Sequence, residues 1–443
     1  MKKNNIITPS ILSGFMELLP SDQLLFDKMM NTIRNSYELF GFTPIDTPVI
    51  EKAEVLLAKV GGETEKQLYR FARGKNELAL RFDLTVPLAR YVSQHYSDLT
   101  FPFRRYHIGK VHRGERAQKG RFREFYQCDI DIIGNGTLGL YNDAEIPSVI
   151  YFTFKSLGFE NFKIRINNRK ILNGFFESLD SQVTTTEILR TVDKIDKIGD
   201  IAVGNELVAL GLSKNDAEKI LNFLKIKGDN NAIIDALKTL PINSNLFKEG
   251  VSELSEVVKN IKSLGVPEVN FIIDLAIARG LDYYTGTVYE TILTDYPGIG
   301  SVCSGGRYDN LSDSYTSNKL PGVGISIGLT RLFYQLKEAG VIKSDRLSLT
   351  DVLVVPMDKN DLHFSFEIAT SLRLGGIVTE VYAENEKFSK KLSYANKKGI
   401  SYVAIIGENE RLSKKVTLKD MISGEQRSIS PEEILVKIKK RIS

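Results

Sequence analysis

Two cysteines, Cys128 and Cys303, are too few for a disulfide framework or a four-cysteine zinc site, and they fit a reducing cytoplasm. The four histidines, His95, His107, His112 and His363, are not spaced with other ligands as a metal site requires, so no metal held by protein side chains is expected. No run of eighteen apolar residues is present, which leaves nothing to read as a membrane-spanning helix. Behind Met1, Lys2 and Lys3 the apolar residues are interrupted by polar ones, Pro9 and Gly14, so a cleaved signal peptide is not expected. Low-complexity tracts and internal repeats are also missing, which argues against a disordered chain and against a solenoid. Charge of one sign is barely in excess. A net charge of +4 permits a nucleic-acid partner without demanding one.

What is present is an ordinary globular composition, 42% hydrophobic and 26% charged, in 443 residues, a length that suggests two or three domains. The first helix is expected from Ser21 to Phe40. Ser21 serves as N-cap, Gly41 as C-cap, and Phe26, Met29, Ile33, Tyr37 and Phe40 form one apolar stripe. Phe42–Pro48 reads as extended, and Asn76–Ile133 as strands with loops. Residues 172–265 carry Leu, Ile, Lys and Asp at helical spacing and read as a mainly helical insertion. A buried strand is expected from Asn270 to Ala278, another over Val288–Leu293, a turn at Gly305-Gly306, and a glycine-rich strand entering a helix over Gly322–Leu332. After about Asp345, short apolar strands alternate with helices, as expected of a separate α/β domain of roughly a hundred residues. Its strands are expected at Asp351–Pro356, Gly376–Tyr382, Tyr402–Gly407 and Lys414–Met421.

The charge is uneven. Residues 104–123 hold Arg104, Arg105, Lys110, Arg113, Arg116, Lys119, Arg121 and Arg123 against one acid, Glu115. Read as a strand, the following segment places Arg121, Arg123, Phe125, Gln127, Asp129 and Asp131 on one face. Phe122, Tyr126, Cys128, Ile130 and Ile132 fall on the other, apolar face. A solvent-facing strand can look like this. The length of the run, its basic turn at Glu115–Gly120 and its place inside a domain favour a face that lines a pocket. Cations there suit phosphate, a ring suits stacking, and acids suit an amine or imidazole.

Arg113, Glu115, a loop and then Phe125 resemble motif 2 of the class II aminoacyl-tRNA synthetases. Gly322 to Arg331 resembles motif 3, and the first helix followed by Pro48 resembles motif 1, a dimer-forming element. Ala278-Arg279-Gly280-Leu281-Asp282-Tyr283-Tyr284-Thr285-Gly286 and Ser304-Gly305-Gly306-Arg307-Tyr308-Asp309 resemble the two motifs specific to histidyl-tRNA synthetases. The resemblance implies an α+β catalytic domain on an antiparallel sheet over residues 1–345, interrupted by the helical insertion at 172–265. It also implies an anticodon-binding α/β domain over 346–443.

For the site, the resemblance implies that Arg113 and Arg279 hold the α-phosphate of ATP. Glu115 meets the adenine edge, Phe125 stacks on adenine, Arg121 contributes to ATP binding and Arg331 clamps the triphosphate. Histidine is taken by Asp83, Thr85, Gln127, Asp131, Arg279, Tyr283, Tyr284 and Tyr308, with Asp131 and Tyr284 serving the imidazole. At positions 83 and 131 this chain has Asp where some members have Glu, so the carboxylate is kept with a shorter reach. Arg116 and Gln118, and His112 beside Arg113, are expected near the acceptor end of the tRNA. Mg²⁺ is expected with ATP, a homodimer is implied, and no DNA or membrane partner is. A regulatory relative that binds histidine without charging tRNA normally lacks the anticodon domain and parts of motifs 2 and 3. Here Arg113, Glu115, Phe125, Arg331 and residues 351–443 are all present.

Overall fold

The computed structural model describes residues 7–58, 65–116, 120–179, 181–278 and 283–442. Arg279 and Gln118, both expected in the site, lie outside the described residues. The chain divides into two compact units, one of described residues 7–16 and 28–342, the other of 17–27 and 343–442.

The described strands of the larger unit are β1 (Thr43–Pro44), β2 (Ile50–Lys52), β3 (Arg70–Arg73), β4 (Asn76–Leu80), β5 (Phe103–His112), β6 (Glu124–Ile133), β7 (Phe162–Asn168), β8 (Phe271–Ile273), β9 (Thr287–Leu293), β10 (Ser301–Tyr308) and β11 (Gly322–Ile327). Eight of them form one sheet in the order β1-β5-β6-β11-β10-β9-β7-β8. Its pairs are antiparallel except β1 with β5 and β7 with β8. The remaining three, in the order β2-β4-β3, make a small antiparallel sheet.

Helix α1 (Pro20–Leu39) buries the expected stripe at Phe26, Met29, Ile33 and Tyr37. It begins one residue before Ser21, because proline fits the first helical position, where its missing N–H is not needed. Gly41, at φ 74°, ends it as expected. The Tyr37 hydroxyl donates to the Cys128 carbonyl on β6 at 3.0 Å and pins the helix to the sheet.

Three expectations need correction. The stretch Asn76–Ile133 is not all strand and loop, because α3 (Thr85–Gln94) interrupts it after α2 (Ala53–Leu57) has passed. Its β-branched and proline-containing start, Thr85-Val86-Pro87, hides the helix. Its signal is the Asp83 side chain, which accepts from Val86 N at 3.1 Å and caps the first turn. The strand expected over Asn270–Ala278 is only β8, and the buried chain turns away at Asp274. Gly305 and Gly306 lie inside β10 and not in a turn. A Cβ at Gly305 would stand 2.1 Å from the Gly324 carbonyl, so glycine there answers to close strand approach, not to chain reversal.

Helix α4 (Tyr141–Ser156) packs beside the sheet and precedes the insertion. The insertion is helical as expected: α5 (Arg169–Glu177), α6 (Thr185–Val192), α7 (Ile195–Ala209), α8 (Lys214–Leu224), α9 (Asn230–Thr239) and α10 (Asn245–Ser263). Thr184, Ser213, Asp229 and Ser244 cap four of these helices by accepting a backbone N–H. Helix α11 (Leu329–Glu338) follows β11.

The smaller unit holds a five-stranded sheet in the order β13-β12-β14-β15-β16: β12 (Val352–Pro356), β13 (Thr379–Val381), β14 (Tyr402–Ile406), β15 (Val416–Asp420) and β16 (Gln426–Ile429). Its helices are α12 (Leu362–Leu374), α13 (Phe388–Lys397), α14 (Glu408–Ser413) and α15 (Pro431–Ile442). Strand β16 and helix α14 add to the expected pattern. Val352, Val354, Ile368, Leu372, Ala404 and Ile434 are among its buried core.

One buried ion pair fixes the strand that carries the second family motif. Arg307 on β10 donates from Nε to both oxygens of Asp143, at 3.0 and 3.1 Å, and from Nη2 at 2.5 Å. Asp143 is fully buried in the first turn of α4. Replacing Arg307 with Met leaves that carboxylate uncompensated. The expected loss is about 3–5 kcal/mol, read as a lower urea midpoint for the larger unit. An unchanged midpoint would show that the pair does not hold β10 in place.

Candidate active site

The antiparallel register builds the site in rows. Arg105 on β5 pairs with Asp131 on β6, Asp131 with Gly324 on β11, and Gly324 with Gly306 on β10. One row along, His107 pairs with Asp129, and Asp129 with Ser326. Residues in register project from the same face, so two polar strands and two glycine-bearing strands share one surface. The glycines are required there. A Cβ at Gly324 would lie 2.2 Å from Asp131 Oδ1, and one at Gly306 would lie 2.9 Å from the Tyr284 ring. Motif 3 and the second histidine motif thus supply a floor without side chains beneath Asp131 and Tyr284.

Three carboxylates, Asp83, Asp129 and Asp131, are buried at this floor around one buried cation, Arg105. Arg105 forms an ion pair with Asp131 Oδ2 and also reaches the Leu84 carbonyl at 3.4 Å. Tyr308 donates to Asp131 Oδ1 at 2.6 Å. Both oxygens of Asp131 are therefore held by the protein, and each keeps a second lone pair for a ligand. Tyr308, expected to line the imidazole pocket, spends its hydroxyl on Asp131 and so acts as its holder.

Burial pushes all three acids up. Asp83 rises to about 6, against the Val86 N–H, Arg113 and Arg105, which favour its ionised form. Asp129 rises to about 7, with Arg105 and Ser326 opposing, and Asp131 to about 6, with Arg105 and Tyr308 opposing. Burial outweighs what Arg105 gives all three acids and what Arg113 adds at Asp83. Burial also raises Tyr283, Tyr284 and Tyr308, which stay protonated and able to donate.

The rings of Tyr283 and Tyr284 meet edge to face at 4.9 Å, and Tyr283 meets Tyr308 at 5.9 Å. Thr85 partly offsets the rise at Tyr283, and Tyr283 partly offsets that at Tyr284. Gln127 donates from Nε2 to Ser326 Oγ at 2.9 Å. Three buried acceptor atoms face this region without a hydrogen-bond partner: Asp83 Oδ2, Gln127 Oε1 and Asp129 Oδ1.

The residues expected to hold ATP lie next to it. Arg113 is tied by Nε to the Phe82 carbonyl at 3.0 Å, one residue from Asp83, and its guanidinium lies 5.3 Å from the centre of the Phe125 ring. Glu115 is half-buried and sits 3.9 Å from Arg121, which is exposed. Arg331, in the first turn of α11, donates to the Ile299 carbonyl at 3.1 Å. Asp83, Thr85, Gln127, Asp131, Tyr283, Tyr284, Tyr308, Arg113 and Phe125 are brought to one region. Arg331 is held by a loop from the β9–β10 side, and Arg116 is exposed.

The strand face is shorter than its sequence suggests. Strand β6 starts at Glu124, and Arg123 turns back to the Glu115 carbonyl at 3.0 Å, so it braces the loop and does not line the pocket. His112 is buried and bonded to Glu124 at 2.9 Å, so it is not presented to a tRNA end. His107, pushed down to about 3 by burial and by Arg105 and Arg81, is neutral and held by Asp46 at 2.9 Å. Arg105 and Ser326 lie on this face and sequence reasoning did not single them out, while Asp129 was placed on the face but given no role of its own. Their signal is cross-strand register, which appears only once β5, β6 and β11 are paired. Among the described residues no group of three His, Cys, Asp or Glu side chains is placed to hold a metal ion, and no helix is long and apolar enough to cross a membrane.

A family model described as Histidyl-tRNA synthetase matches residues 14–332, and one described as Anticodon binding domain matches residues 351–441. A histidine–tRNA ligase of Clostridium tetani is 62% identical over 438 residues, with 99% of each chain covered. That of Clostridium acetobutylicum is 48% identical over 432 residues, covering 97% of this chain and all of the relative. The crystal structure of histidyl-tRNA synthetase from Nostoc superposes with a TM-score of 0.89 at 42% identity, covering 98% of this chain and 100% of that one. A Bacillus halodurans structure, described as an ATP phosphoribosyltransferase regulatory subunit/histidyl-tRNA synthetase, shares the fold at a TM-score of 0.75 and 21% identity. With a family model covering residues 14–332 and relatives matched end to end, the chain belongs to the histidyl-tRNA synthetase family.

Proposed function

We propose that this chain activates histidine with ATP, releasing pyrophosphate, and then transfers it from histidyl-adenylate to the 3′-terminal adenosine of its tRNA. The observation that carries the reading is the buried cluster in which Asp83 Oδ2, Gln127 Oε1 and Asp129 Oδ1 lack partners, with Arg113 close to Asp83. Unpartnered buried acceptors suit a ligand that brings donors, and an amino acid's ammonium brings three.

In the first step a histidine carboxylate oxygen attacks the α-phosphorus, the bond to the bridging oxygen breaks, and pyrophosphate leaves. No protein nucleophile is needed. Arg113 and Arg279 flank the α-phosphate and offset the charge that builds there. Phe125 and Glu115 hold adenine, Arg121 adds charge at the ATP site and Arg331 grips the triphosphate. Asp83, Thr85 and Gln127 orient the ammonium, and Asp131 and Tyr284 take the imidazole, with Tyr283 and Tyr308 closing around it. Mg²⁺ would enter with the triphosphate as its counter-ion. In the second step a ribose hydroxyl attacks the adenylate carbonyl and AMP leaves. Arg116 and Gln118 approach the acceptor stem, and residues 351–441 bind the anticodon. The protein acts in the cytoplasm as a homodimer.

Neutral imidazole offers one donor and one acceptor, and a pocket that pairs both rejects side chains that leave its polar groups unpaired by ~10⁴. Histidine alone among the amino acids is expected to stimulate ATP–pyrophosphate exchange. Arg113→Ala should lower that rate on the order of 10²–10³. If no amino acid, histidine included, stimulates exchange, weight shifts to a regulatory histidine-binding role; an Arg113→Ala enzyme of full activity would remove Arg113 from the phosphate site.

The acids set a pH window. Asp83 and Asp131 are ionised above about 6 and protonated below it, where Asp83 no longer attracts the ammonium and Asp131 no longer accepts as a carboxylate from the imidazole ring. The KM for histidine is therefore expected to rise as pH falls through 6. In Asp83→Asn it should be high throughout, with a weaker pH response because one titrating acid is gone. The same KM profile in both proteins would remove Asp83 from the site.

A further inference from the structure

Ser326 stands between Gln127 and Asp129. It pairs in register with Asp129, it favours the ionised form of that carboxylate, and its oxygen accepts from Gln127 Nε2 at 2.9 Å. A hydroxyl has one proton, and an ionised carboxylate can only accept. The Ser326 proton therefore goes to Asp129, and the lone pairs left on Oγ can receive only the NH₂ end of the Gln127 amide. The carbonyl end, Oε1, is buried without a partner and faces the pocket by default. Without this chain the amide can rotate by half a turn and present a donor to the substrate's ammonium, a mismatched pair. Arg105, a buried cation beside Asp83, Asp129 and Asp131, favours the ionised form of Asp129 on which the direction of the chain depends.

We propose that Ser326 and Asp129 are positioning residues for histidine, locking the Gln127 amide with its carbonyl oxygen toward the substrate's α-ammonium. The proposal rests on Gln127 as an ammonium acceptor, and the test separates the two ideas. Histidine-dependent ATP–pyrophosphate exchange is measured at pH 8, where Asp129 is a carboxylate. Ser326→Ala is expected to raise the KM for histidine on the order of tenfold, the size of one hydrogen bond to a charged group, with kcat and the KM for ATP nearly unchanged. Ser326→Thr keeps the hydroxyl and should keep the KM. Asp129→Asn can donate to Ser326 and reverse the chain, so its KM should rise as well. Gln127→Ala should raise the KM at least as much, and adding Ser326→Ala to it should change nothing further. If Gln127→Ala raises the KM but Ser326→Ala does not, or if the two effects add, the relay is wrong while the ammonium contact stands. If Gln127→Ala leaves the KM unchanged, the ammonium contact itself is wrong, and the relay falls with it.

Discussion

The site depends on one guanidinium among three acids. Arg105 is fully enclosed, bonded to Asp131 across the β5–β6 ladder, and within electrostatic reach of Asp83 and Asp129. Burying acids this way works against folding. Their pKa values in the folded protein lie above the ordinary carboxylate range, so their favourable contribution to stability is complete only below about pH 4 and is lost as pH rises through 6 to 7. At neutral pH the empty pocket is thus less stable than a neutral one would be. A bound ammonium would offset part of that deficit, as expected of a preorganised binding site and not of a structural ion-pair cluster.

The second constraint is steric. Four strands must bring a cation, an acid and a tyrosine to one face while leaving a floor on which an amino acid can lie. Gly324 and Gly306, adjacent on paired strands, provide it, because any Cβ at either position collides with Asp131 or Tyr284. Arg307, though it lies in the same sequence motif as Tyr308, does different work. It turns to Asp143 and anchors β10 to α4, so that the tyrosine beside it meets Asp131. The motif therefore joins a structural anchor and a site residue at adjacent positions.

Much of this was legible in the sequence where local chemistry is strong. The α1 stripe, the capped helices of the insertion and the apolar strands of the smaller unit follow from period and caps. The residues expected to meet histidine were found through their motifs, and most converge in space. What was not legible depends on pairing. Arg105 looked like one of eight basic residues in a cluster, and nothing in the chain places it opposite Asp131 until β5 and β6 are aligned. Gly305 and Gly306 read as a turn because adjacent glycines usually serve that purpose, whereas here they answer to a neighbouring strand. Helix α3 was hidden by its Thr-Val-Pro start, and Arg123 was assigned to a face that begins one residue after it. Each miss traces to a long-range contact overriding a local signal.

A crystal structure with histidine bound tests the pocket most directly. The ammonium nitrogen is expected within hydrogen-bonding distance of Asp83 Oδ2 and Gln127 Oε1, with the imidazole ring over the Gly324 and Gly306 floor near Asp131 and Tyr284. Histidine seated elsewhere on the sheet, or an ammonium that leaves both of those oxygens without a partner, would contradict the assignment.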